Sequence, residues 1–529
     1  MYADIIIKNG RCVTMCGDGG ADWVAAAGKM ICAAGRGDDW QKLVRPGTQV
    51  IDARGGTVLP GFIDNHFHVM QTAVNMMSVD LGGARSHREL GEMLAAAEKR
   101  EGAVLGCQVE ESQFEEKRFP DRYVLDKYCS DSPVVLFSKE YHVSMLNTHA
   151  LLYYKVPFSL EGVELDGSGL PTGIFRRNAN YVLRSNVLRS LPDEFRMEAI
   201  HLAMSRLLEN GITTCQEGAT TADFAALFCG LANKGLLKMD VVSYPMYGED
   251  VDKILADHEP FVSQDYTGHF RIGGLKMFFD GSPQGRTAWM TEPYTPGDEG
   301  EGYCGYGTMT DKAAYDFMRK AIDGNHQLLA HTNGDAAADQ YLRVYKRALE
   351  DSPNPDKASL HPVMIHCQTA RRDQYEQMAE INMIPSIFAS HIWYWADVHL
   401  KNFGPVRGGR VSACHDALEC GLPFTFHTDT PVLRPNFFEA VWCAAKRVTK
   451  GGAQLDENQK ISVYEGLKAI TVNGAFQYGE LDRKGTLEAG KLADFCIVEK
   501  NPLKIELDEV RNLRVLETVK EGETVWTRK

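Results

Sequence analysis

The chain of 529 residues has no Cys-x-x-Cys pair, and its 13 cysteines, an odd number, are scattered, with Cys12 and Cys16 the closest two. That spacing excludes a disulfide framework and predicts reduced, mostly buried thiols. No stretch approaches the roughly 18 uninterrupted apolar residues that a membrane span needs. The N-terminal "MYADIIIKNG" has neither a basic segment nor a small-residue cleavage site, so the expected compartment is the cytoplasm. A formal charge of −14 without a Lys/Arg run argues against nucleic acid and anionic membrane as partners and leaves a small molecule. Internal repeats and low-complexity segments are also missing. So are the Gly-x-Ser-x-Gly elbow of a serine hydrolase and a P-loop, while "GRGDDW" at Gly35 to Trp40 lacks the final glycine of a dinucleotide turn.

What remains is an ordinary globular composition, 44% hydrophobic and 24% charged, on a chain long enough for two to four lobes or one large barrel with additions. The first 60 or so residues alternate short β-like bursts with Asn-Gly, Gly-Lys and Gly-Gly turns, and "GTLEAGKLADFCIVEKNP" and "VLETVKEGETVWTRK" repeat that character at the other end. Between them, helical patterns such as "MTDKAAYDFMRKAIDGNH" alternate with the apolar runs "GGLKMFF", "HQLLAH", "HPVMIH" and "PFTFH", the pattern of a parallel α/β barrel or doubly wound sheet. The organisation this predicts is residues 1–58 and 475–529 forming one small β lobe from both termini and 59–474 forming the α/β body. An irregular insertion at about 79–194 could cap its mouth.

"GFIDNHFHVM", Gly61 to Met70, closes the first apolar run with two histidines. Residues i and i+2 of a strand share a face, so His66 and His68 project together, with Asp64 deeper on the same alternation. Four further runs end in a residue that can also bind metal, namely Lys276 in "GGLKMFFDGS", His331 in "QLLAHTNGDAA", His366 in "PVMIHCQ" and Asp429 in "PFTFHTDTPV". In a parallel barrel all strand ends open on one face, where barrel enzymes keep their chemistry, so these side chains would converge from distant parts of the chain.

Asp-x-His-x-His, a lysine, two single histidines and an aspartate, in this order, resemble the amidohydrolase superfamily over nearly the whole chain. "RFPDR", "YHVSMLNTHAL", "PTGIF", "KMFFDGSPQGRTA", "HTNGDAA", "HIWYWADVH" and "HTDTPV" are most similar to the branch typified by N-substituted formamide deformylase. The resemblance implies a distorted (β/α)8 TIM-type barrel with a β-sandwich lobe built from both termini, and a homodimer is the expected assembly. It implies that His66, His68 and Asp429 hold one divalent ion and His331 and His366 a second. Lys276 would bridge them as a carbamate formed with carbon dioxide, because an ammonium has no lone pair for a metal. Zinc is the expected ion, with manganese or iron open, since the same ligands suit all three. A metal-bridging hydroxide would attack the carbonyl of a non-peptide amide, with Asp429 moving the proton from nucleophile to leaving amine.

Around this set, His427 shares the Asp429 alternation and is expected either to contact substrate or to support the aspartate. His142, Asp280, His391, Trp393 and Trp395 are candidate substrate contacts, the two tryptophans as pocket lining. Asp280 is also the alternative ionic partner for Lys276. Arg176 and Arg177 stand where members of the branch often carry a glutamate. A deaminase or lactonase on the same barrel, or a non-catalytic binding relative, are the competing expectations. Against a deaminase, no glutamate stands three residues beyond His331 or His366.

Overall fold

The apolar bursts become strands and the amphipathic runs between them become helices in the computed structural model, which describes residues 2–17, 20–97, 99, 102–139 and 141–529, the side chains of Arg177, Asn178 and Tyr181 excepted. The chain divides into a larger unit (Met1–His68, Ser205–Asp429 and Arg434–Lys529) and a smaller one (Val69–Met204 and Thr430–Leu433). All 13 cysteines are free, and no described helix is long and apolar enough to cross a membrane.

In the larger unit, β1 (Phe62–Ile63), β2 (Ile212–Thr220) and β3 (Asp240–Pro245) run parallel, with Phe270–Ile272 beyond β3. A second parallel sheet holds β4 (Gly274–Phe278), β5 (Gln327–Thr332), β6 (Val363–His366), β7 (Ile384–Ile387) and β8 (Thr425–Phe426). Strands such as "VMIH" are buried on both faces, which is why they read as unbroken apolar runs rather than alternating ones. A parallel bridge between Met246 and Lys276, with Tyr247 N donating to Lys276 O at 2.7 Å, joins the chain after β3 to β4.

Among the described residues β8 and β1 make no ladder. The seam between them is crossed by single hydrogen bonds, Asp429 N to His66 O at 3.1 Å, Thr428 Oγ1 to Asp64 Oδ2 at 2.6 Å and Asn65 Nδ2 to Phe426 O at 3.5 Å. With β1 and β8 only two residues long, little backbone is left to zip a ladder there.

Helices return the chain between strands. α1 (Asp311–Asp323) is capped by Thr310, whose hydroxyl accepts from Ala313 N, and buries Ala314, Phe317, Met318, Ala321 and Ile322 on one stripe. α2 (Asp335–Asp351) follows β5 after only two residues.

Two further sheets follow, one from the N-terminal residues alone and one from both termini. Ile5–Lys8, Trp23–Ala27, Met30–Gly35 and Gln49–Asp52 make one; Arg11–Cys12 and Thr57–Pro60 join Phe495–Val498, Val515–Lys520 and Glu523–Thr527 in the other. They share a core of Ile5, Ile7, Val24, Ile31, Phe495, Ile497 and Val519. Asp240, at the start of β3, ties this region to the parallel strands: it accepts from Lys484 at 2.6 Å, Lys520 at 2.8 Å and His269 Nδ1 at 2.7 Å, and Lys520 also reaches Asp494 at 2.8 Å. Burial opposes charge on these groups, but the mutual attraction wins, holding both lysines above their ordinary range and Asp240 well below its own.

The smaller unit takes in the stretch expected as an insertion. Its six-stranded sheet runs in the order Val163–Leu165, Pro171–Arg176, Val143–Leu146, Val134–Ser138, Val104–Val109 and Val79–Asp80, over a core that includes Leu90, Phe114, Leu125, Leu136 and Met145. His142 is exposed on this unit. Arg176 is exposed too, lying over the Phe119 ring and 3.8 Å from Glu164, while the side chain of Arg177 falls outside the described residues.

Candidate metal centre

The alternation that aims His66 and His68 together persists just past β1, where both rings turn towards one oxygen. His66 Nε2 stands 3.5 Å and His68 Nε2 3.4 Å from Asp429 Oδ1, and the ligand atoms of the three residues lie within 4.8 Å of one another. Asp429 reaches them because its backbone is left-handed, φ +50°, and is held so by its amide donating to His66 O. For a residue with a Cβ that conformation costs on the order of 1 kcal/mol, which the cross-seam hydrogen bonds offset.

Lys276, His331 and His366 join from β4, β5 and β6. The His366 ring lies 5.5 Å from that of His66 and 4.6 Å from that of His331. Lys276 is fully buried, and its Nζ has no hydrogen-bond partner among the described residues. Burial depresses its amine from 10.5 to about 7, with the charge of Asp429 pulling the other way. Asp280 is not its counter-ion: the Asp280 carboxylate accepts from Asn333 N at 3.0 Å, Gly334 N at 2.6 Å and Trp289 N at 3.1 Å, fixing the turn into α2, and lies 3.4 Å from His331 Nδ1.

Behind this layer, His427 Nε2 meets His366 Nδ1 at 3.1 Å and His427 Nδ1 meets Ser386 Oγ at 2.9 Å. Burial first, and then the neighbouring cationic groups, hold His66 and His366 well below the ordinary histidine range. Burial, aided by Lys276, His68 and His331, outweighs the Asp429 charge at His427 and takes it to about 3. Those rings are therefore neutral imidazoles at pH 7, the form that binds metal. His68 behaves differently: burial lowers it, but Asp429 and Glu217 carry it above its usual value.

Asp64 faces the seam. Its carboxylate takes the Thr428 hydroxyl at 2.6 Å, the Thr428 amide at 3.2 Å and the His66 amide at 3.3 Å, and burial pushes it up to about 7.

Three neighbours are not marked out by the sequence pattern. Gln216 Oε1 lies 2.7 Å from His66 Nδ1, Glu217 Oε1 lies 3.9 Å from His68 Nδ1, and Gly218 packs against the His66 ring. They sit late in β2, where its pairing with β3 shifts register after Glu217, so the strict alternation that would flag one of them does not hold for all three. The signal present is two adjacent polar residues, Gln216 and Glu217, ahead of Gly218 in "ITTCQEG".

The aromatic candidates divide. Phe388 spans from His366 (6.0 Å) and His427 (5.0 Å) to His391 (4.7 Å) and Trp395 (6.2 Å), which sets His391 and Trp395 one ring behind the centre. His391 itself is buried, with Nδ1 3.2 Å from His399 Nε2. Trp393 points elsewhere, packing edge-on against Trp442 at 5.2 Å with the Arg511 guanidinium over its ring at 4.3 Å, so it does not line this centre as its place in the aromatic run suggests.

The amidohydrolase family profile matches residues 49–526. N-substituted formamide deformylase of Arthrobacter pascens is 26% identical over 533 aligned positions, covering 95% of this chain and 94% of that protein. Protein LONG AFTER FAR-RED 3 of Arabidopsis thaliana is 25% identical, covering 95% and 88%. Among solved structures, an uncharacterized metal-dependent hydrolase from Pyrococcus horikoshii OT3 superposes with a TM-score of 0.80 at 22% identity, covering 95% of this chain and 99% of that one. At that identity the likeness is one of fold.

Proposed function

The chain belongs to the amidohydrolase family, and from that premise we propose that it is a metal-dependent hydrolase cleaving an amide-type, non-peptide carbon–nitrogen bond of a small molecule. The observation that carries this reading is the meeting of His66, His68 and Asp429, from the first and last parallel strands, beside the partnerless buried amine of Lys276. The architecture under this reading is a distorted (β/α)8 barrel with a β-sandwich lobe from both termini.

The residues fit a binuclear site. Imidazoles and a carboxylate are a donor set for zinc, manganese or iron. His66, His68 and Asp429 would hold one ion, His331 and His366 the other, and Lys276 would share an oxygen with each once carboxylated. An amine near pKa 7 is neutral in a large fraction of molecules at pH 7. Its lone pair can then attack carbon dioxide, forming an N–C bond and releasing one proton, so that a buried amine without a partner becomes an anion with two.

When bound, the ions polarise a carbonyl and bring the ionisation of water to near pH 7. Asp429 moves the proton: its carboxylate accepts it from the attacking water and returns it to the departing nitrogen, which leaves poorly as an anion. His427 keeps the His366 ring in place from behind, and Asp64 holds Thr428 and with it the strand end that carries Asp429. Water and amide become a carboxylic acid and an amine.

The deformylase relative makes N-formyl amines the first class to assay, alongside N-acyl amines, cyclic amides and lactones. The expected result is chelator-sensitive hydrolysis of one amide class, lost in Asp429→Asn with the circular dichroism of the fold unchanged. Near wild-type turnover in that variant, or hydrolysis indifferent to chelation, would overturn the reading.

A further inference from the structure

A metal takes a histidine nitrogen only if that nitrogen has no hydrogen, so a ligating imidazole must have its proton parked on the other side. At His66 the structure contains a device that does this, and it begins at the backbone. Tyr478 Oη donates to Asp64 O at 3.2 Å. Gln216 Nε2 donates to Asn65 O at 2.7 Å and lies 3.3 Å from Tyr478 Oη, which accepts its second hydrogen. Both acceptors are spoken for by the amide nitrogen; with the amide reversed, Oε1 would face a carbonyl oxygen. The only orientation that satisfies the network puts Oε1 towards His66, 2.7 Å from Nδ1. Oε1 can only accept, so Nδ1 carries the hydrogen and Nε2, the nitrogen facing Asp429, keeps its lone pair.

Space for this arrangement is kept by Gly218. A Cβ there would stand 2.6 Å from His66 Cε1, 2.7 Å from His66 Nδ1 and 2.8 Å from Gln216 Oε1. Its φ is not in the left-handed region, so the glycine is needed here for the absence of a side chain rather than for backbone freedom. Gln216 itself is fully buried.

We infer that Gln216 is a positioning residue that locks His66 in the Nδ1–H tautomer, leaving Nε2 free for a divalent cation. This rests on the reading that His66 is a metal ligand. A residue that only filled space would fix the ring's place but not its proton.

Histidine-selective 15N labelling of the metal-free full-length chain reads that proton directly, with the His66 signals assigned by their loss in His66→Gln. The expected wild-type pattern is that of the Nδ1–H form. Gln216→Met, which keeps the side chain's length but neither donates nor accepts strongly, should release the tautomer. It should also weaken zinc binding by about 10- to 100-fold in chelator competition. Gln216→Glu, which retains an acceptor, should keep the tautomer. An Nδ1-bare His66 in the wild type overturns the inference without any variant, which covers the case in which Gln216→Met does not fold. So does a folded Gln216→Met that binds zinc as tightly as wild type. A wild-type chain that takes up no zinc overturns the metal reading itself, and is distinguishable because the Nδ1–H pattern would still be present.

Discussion

Replacing Lys276 by methionine should stabilise the metal-free protein while abolishing its activity. The unfolded chain binds the lysine proton with the ordinary pKa of 10.5, whereas the folded chain, in which Nζ is buried without a partner, binds it with a pKa of about 7. One unit of difference is about 1.4 kcal/mol, so keeping this residue costs about 4 kcal/mol at pH 7 and about 5 kcal/mol at lower pH. The sign follows from proton counting. Between pH 7 and 10.5 the unfolded state holds more protons than the folded one, so wild-type stability rises with pH through that window and levels off above it. Methionine occupies a similar length, buries well and does not titrate. Urea denaturation of metal-free wild type and Lys276→Met in carbon-dioxide-free buffer, from pH 7 to 10.5, should show the variant more stable by about 4 kcal/mol at the low end, shrinking towards zero at the high end. Hydrolysis by the metal-loaded variant should be lost. A variant no more stable than wild type at pH 7, or an advantage that does not change with pH, would refute the assignment of Lys276 as a buried, unpartnered amine.

Two further substitutions separate structural residues from the centre. Asp240→Asn strips the charge that Lys484 and Lys520 share, and the loss of stability should be about 3–5 kcal/mol with zinc content unchanged, measured by urea unfolding and elemental analysis of the same preparation. Trp393→Ala empties the space between Trp442 and Arg511 and should lower stability by about 2–3 kcal/mol while KM stays at its wild-type value; a raised KM would return Trp393 to the substrate pocket.

The parts of the centre legible in the sequence are those that obey a period. His66 and His68 follow strand alternation, and Lys276, His331 and His366 each lie on a short apolar run that alternates with helices, so a parallel arrangement gathers them. Residues set by local irregularity are not legible. Gln216, Glu217 and Gly218 crowd the end of a strand whose register shifts, and periodicity cannot say which of them faces inward. Asp280 lies four residues after Lys276, which makes an ion pair plausible, yet three backbone amides, two of them at the start of α2, claim its oxygens. "HIWYWADVH" offers three aromatic rings in a row, and only tertiary packing decides that Trp395 backs Phe388 while Trp393 turns to Trp442 and Arg511. The seam between β8 and β1 is hidden for a similar reason: its hydrogen bonds come from Asp64, Asn65 and Thr428, side chains whose partners lie far away in sequence.

Elemental analysis of the purified chain tests the central claim most directly. About two divalent ions per chain, removed by chelation together with amide hydrolysis and restored with it, is the predicted result for a bridged site. A chain that holds no ion after incubation with zinc, manganese or iron in bicarbonate buffer would contradict it.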